Sequence, residues 1–190
     1  NKSIRTWDLK TGTSTEFDTG YFGCAAFSPD VRLFATSRRA PHMVQLWDVA
    51  QQTRLKEFKI EQSESPGQIA RAIALAPDGR TIAAVSAEDD MARIWNVETR
   101  TLLHEFKAKD VEDGLGNSGA GVLYTSDSRY VLARRAASGN GSHVVVFDLE
   151  EGRIDTDRTH GWNFGNYGPM ALSPEGDQLA LTSNGKMAYL

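Results

Sequence analysis

The chain holds a single cysteine, Cys24, among its 190 residues. One thiol cannot close a disulfide within the chain, and a lone thiol fits a reducing compartment, so the cytoplasm is the expected location. Histidine is equally sparse: His42, His104, His143 and His160 stand far apart with no His-x-x-x-His pair, and no zinc-ligand spacing exists. No run reaches the roughly 18 consecutive apolar residues of a membrane span, and Asn1 to Asp8 lack the apolar core of a signal peptide. No membrane partner is expected. An excess of positive charge is also missing. The 21 basic and 25 acidic side chains leave −4, the wrong balance for a surface built to neutralise phosphates, so nucleic acid is not an expected partner. Two Asn-x-Ser matches, at Asn1 and Asn140, are short, common patterns that read as chance without a secretory signal.

Catalytic phrases are missing too. There is no Gly-x-Ser-x-Gly elbow and no phosphate-binding P-loop. Gly114-Leu115-Gly116-Asn117-Ser118-Gly119 matches the dinucleotide fingerprint by letter only. That motif needs a strand before it and a helix after it, so that phosphate meets the helix N-terminus. Here the acidic stretch Asp110 to Asp113 precedes and a predicted strand follows. No catalytic residue, metal or cofactor is expected.

What the chain does have is a repeat. Thr6-Trp7-Asp8-Leu9, Leu46-Trp47-Asp48-Val49, Ile94-Trp95-Asn96-Val97 and Val146-Phe147-Asp148-Leu149 each place an aromatic before Asp or Asn and then an aliphatic, with the aromatics 40, 48 and 52 residues apart. A second phrase keeps step with the first. Pro29, Pro77, Ser126 and Pro174 lie 48, 49 and 48 residues apart, each in a turn-like run such as Ser28-Pro29-Asp30 or Pro77-Asp78-Gly79. Proline presets the first turn position and glycine tolerates positive φ, so Ala70 to Leu75 and Thr81 to Val85 read as a hairpin around that turn.

Each period has room for four such strands. Val44 and Leu46 alternate with Gln45 and Trp47, so both faces of that strand carry bulk and each sheet needs neighbours on both sides. The fold class is therefore all-β: a β-propeller of four-stranded antiparallel blades, about 40 to 50 residues each, stacked so that every blade buries its neighbour's face. The aromatics Trp7, Trp47, Trp95 and Phe147 are expected in the core.

Trp7-Asp8, Trp47-Asp48, Trp95-Asn96 and Phe147-Asp148, together with the Ser-Pro-Asp and Pro-Asp-Gly turns, resemble WD40 repeats over nearly the whole chain. No Gly-His dipeptide opens any repeat. The family's buried aspartate, six residues before the aromatic, is matched only by Asp89, with Pro41, Gly141 and Gly185 at the other places. The resemblance thus implies blades in which the family's hydrogen-bonded tetrad is mostly absent and Asp89 has a structural role.

On this template residues 1–20 end one blade, 21–60, 68–108 and 119–158 are complete blades, and 167–190 begin another. Seven blades, the family's common number, would need about 320 residues at the chain's mean spacing of about 46, so the chain is expected to be part of a larger propeller.

Three connections are longer than a turn, at 61–67, 109–118 and 159–168, and with the hairpin loops Arg38 to His42 and Ala136 to Ser142 they should open on one face. Loops on a fixed scaffold carry function. The pairs Arg38-Arg39 of the first blade and Arg134-Arg135 of the third occupy nearly equivalent places and, with Arg38, Arg39, His42 and Arg135 as the contact candidates, could form a basic cluster for an acidic partner there, although adjacent strand residues point to opposite faces and Glu88-Asp89-Asp90 lies between the pairs. Trp162, Phe164 and Tyr167 lie among glycines and asparagines between 161 and 168, a composition suited to an anchored contact. The expected function is a scaffold or sensor that binds other proteins, or other domains of the same longer chain. The alternatives are a propeller enzyme with its site at the channel mouth, and nucleic-acid binding through the arginines, which would weaken steeply with salt.

Overall fold

The computed structural model describes residues 3–20, 22–39, 42–60, 70–86, 91–107, 121–136, 142–162, 167–183 and 186–189, with the description confined to the backbone at 39, 135–136, 142–143, 160–162, 167–169, 182–183 and 186–189. Every element among them is a β-strand. β1 (Ser3–Trp7) and β2 (Ser14–Asp18) form a hairpin. β3 (Phe22–Phe27), β4 (Leu33–Arg39), β5 (His42–Asp48) and β6 (Thr53–Lys59) form one four-stranded sheet. β7 (Ala70–Leu75), β8 (Thr81–Ser86), β9 (Met91–Asn96) and β10 (Leu102–Lys107) form a second. The third contains β11 (Gly121–Tyr124), β12 (Tyr130–Ala136) and β13 (Ser142–Asp148), with β14 (Arg153–Ile154) and β15 (His160–Trp162) both paired to β13. β16 (Tyr167–Leu172), β17 (Leu179–Ser183) and β18 (Lys186–Tyr189) complete the series. All pairings are antiparallel, and each sheet is a meander in chain order. The blade-like sheets approach one another along their first strands, β3, β7, β11 and β16.

The recurring phrases mark the two tight turns of each sheet. After the third strand, the Asp or Asn following the aromatic caps the turn. Asp8 Oδ1 accepts from the amides of Lys10 and Thr11, Asp48 from Gln51, Asn96 from Glu98 and Thr99, and Asp148 from Glu150 and Glu151. A short side chain that binds its own backbone two or three residues on is what this turn needs, and Asn serves as well as Asp. Four residues beyond each cap the backbone becomes left-handed, at Gly12, Gln52, Arg100 and Gly152.

The turn between first and second strands has the same regularity. Positive φ falls two residues after the landmark in every repeat, at Val31, Gly79, Ser128 and Gly176. Valine is the misfit. Its φ of 56° puts a branched Cβ against the following carbonyl, and the side chain is half exposed, with little packing to offset the strain. Val31→Gly is expected to raise the unfolding free energy by about 1 kcal/mol, after allowance for glycine's greater freedom in the unfolded chain. A denaturant titration checks this, and an unchanged or lower midpoint would contradict it.

Alternation then divides each strand between two neighbours. In the second sheet Ile82, Ala84 and Trp95 pack with Val44, Leu46 and Phe58 of the first, while Ala83, Val85 and Ile94 pack with Val131, Val145 and Phe147 of the third. Leu132, Val144 and Val146 turn the other way, toward Leu179 and Leu181. Aromatic pairs mark the joints: Phe17 meets Phe34 at 5.0 Å, with Phe34 stacked on Trp47, Phe58 meets Trp95 at 6.2 Å, and Phe106 meets Phe147 at 4.8 Å. The phrase aromatics of the three larger sheets therefore face the preceding blade.

Trp7 corrects the expectation that all four are core. It is 60% exposed, because its face of the β1–β2 hairpin meets no other sheet among the described residues; Arg5 lies over its ring instead.

Candidate functional site

In an antiparallel meander alternate connections open at opposite edges of the sheet. The tight turns just described share one edge, and the connections from second to third strand and from each sheet to the next share the other. Arg38, Arg39, His42, Arg134 and Arg135 stand at that second edge, at the ends of β4, β5 and β12. Arg38 pairs with Met43 and Arg39 with His42, while Arg134 pairs with Val144 and Arg135 with His143.

Phe34 opposes Trp47 as Val131 opposes Phe147, so Arg38 and Arg135 hold the same position in their sheets. The two pairs are therefore one residue out of register, and Arg134 occupies the place of Ser37. Arg134 is buried and, by alternation, shares the face of Leu132 that packs toward β16–β18. It is an interior residue and not part of an exposed basic cluster. Arg38 is half-buried, and the Nδ1 atom of His42 is buried with no hydrogen-bond partner among the described residues.

Asp89 and Phe164 lie outside the described residues. Trp162 does not stand in a free connection, as the glycine-rich context suggests. It ends β15, paired with Ser142, and Tyr167 begins β16, paired with Ser183. In the first two sheets a polar pair crosses from third to fourth strand, Gln45 to Glu57 at 2.9 Å and Arg93 to Glu105 at 2.8 Å. Half-buried Cys24 is a structural thiol: its Sγ lies 3.3 Å from the Ala70 carbonyl and 3.2 Å from Ser37 Oγ, and burial pushes its pKa up. No group of three His, Cys, Asp or Glu that could hold a metal occurs among the described residues, and they include no helix long and apolar enough to cross a membrane.

The tight-turn edge carries a feature that the sequence reading passed over. In the third sheet the outermost strand breaks after Ile154. The Asp155 amide donates to the Val146 carbonyl, the chain turns, and Thr159 returns its amide and hydroxyl to the Asp155 carbonyl while its Oγ1 accepts from the Val146 amide. Asp155, buried, takes the amides of Asp157 and Arg158 and the Arg158 guanidinium at 2.6 Å. The Arg158 guanidinium, chiefly, holds its carboxyl below the usual range.

This turn sets Arg158 over the Tyr130 ring at 5.0 Å, with Arg129 also 5.0 Å from that ring. Arg129 reaches Asp148 Oδ2 at 2.8 Å and Glu150 at 3.0 Å. Beside this group a cavity of about 380 Å³ opens between the third sheet and β16–β18, with Leu132, Val146, Leu172 and Leu179 among its apolar lining. The legible signal was the polar run Asp155-Thr156-Asp157-Arg158, which stands where β6 and β10 continue as strands toward Phe58 and Phe106.

No protein-family model and no curated protein matches this sequence. Solved structures do. Hydrazine synthase from Kuenenia stuttgartiensis is similar over 96% of this chain with a TM-score of 0.73, at 17% identity. The chain spans about half the length of that solved protein, 49%, and the likeness is one of fold: an all-β, propeller-like series of antiparallel sheets.

Proposed function

We propose that this chain is part of a WD40-type propeller, of seven blades when complete, that serves as an interaction scaffold and binds proteins or neighbouring domains through the edge carrying its long connections. One observation carries the reading: the meander sends all the long connections to one edge and leaves only tight, capped turns at the other. A scaffold that holds its variable segments together and its turns apart is built for recognition on one side. The recurrence of the aromatic-Asp phrase at the first three joints, with Trp47, Trp95 and Phe147, supports the WD40 assignment. Enzyme chemistry has no comparable support from a constellation of acid, base or nucleophile among the described residues, and the offset of the arginine pairs favours protein over nucleic acid. A cytoplasmic setting belongs to the same proposal.

The test is affinity capture from lysate with the wild-type chain and with a variant whose connections at 61–67 and 109–118 are replaced by glycine–serine linkers of equal length. Partners retained by the first and lost by the second are the expected outcome. Capture indifferent to the replacement, with both chains folded, would overturn the proposal.

A further inference from the structure

We draw no further inference here: the strongest candidate, the surface patch of cations Arg38, Lys59, Arg71 and Lys107 at the strand ends of the long-connection edge, belongs to the face already proposed to bind partners, and nothing in the structure shows what covers it.

Discussion

Replacing Phe147 with alanine is expected to lower the unfolding free energy by about 3–5 kcal/mol, the largest loss predicted here for a single side chain. Phe147 is fully buried, its ring stacks on Phe106 at 4.8 Å, and it joins the second and third sheets. The neighbours around it cannot fill the gap. Ala83, Ala92 and Ala133 have no rotamers to offer, and the backbone is held by ladders on both sides, so the cavity persists. Domains of this kind are stable by roughly 5–15 kcal/mol, so the variant should sit near the edge of folding. A urea titration checks it: the midpoint should fall with little change in slope. Trp7→Ala, at the matching place in the repeat but 60% exposed, should cost less than about 1 kcal/mol. Equal losses would mean that the phrase aromatic acts through its own turn and not through the neighbouring blade.

Asp148→Ala is expected to cost about 2–4 kcal/mol, because it removes a buried cap and leaves Arg129 without its main partner. Asp148 is 4% exposed, its Oδ1 takes two turn amides, and its Oδ2 takes the Arg129 guanidinium. Asp148→Asn should cost less, since Asn96 caps the equivalent turn, and the difference between the variants isolates the ion pair. Acid gives the same information. Arg129 above all, then the backbone amides, hold the Asp148 pKa below its unfolded value. The stability this supplies is fully present above the ordinary aspartate pKa near about 4 and is lost as pH falls through the depressed folded value. The gap between wild type and Asp148→Asn should therefore be constant near neutrality and shrink below about pH 4. A gap independent of pH would show that the pair adds nothing.

Much of the fold was legible because it is written in local rules. Turn chemistry located Ser28 to Val31 and Ala76 to Gly79, and the step of the aromatic-Asp phrase located the third strands, since a cap and the amides it binds lie within three residues of each other. The left-handed position was readable at Gly79 and Gly176 but hidden at Val31 and Ser128, where the turn imposes its φ on residues that do not prefer it. The candidate site was less legible. Arg38-Arg39 and Arg134-Arg135 look alike as letters, yet a shift of one residue sends Arg134 to the other face, and register is set by strand pairing and not by composition. Trp162 sits among loop-forming residues, and its pairing with Ser142 depends on a turn closed by Val146, far back along the chain.

By itself, then, the sequence determined the all-β class, the period, the four-strand unit and the chemistry of its tight turns, because those follow from side-chain alternation and from hydrogen bonds between near neighbours. Only the tertiary structure decided that Arg134 is interior while Arg38 stands half-buried at the edge, and that the third sheet breaks its outer strand to place Arg158 on Tyr130. Both depend on strand register and on which sheet faces are pressed together, and no local pattern records which face a neighbour will cover.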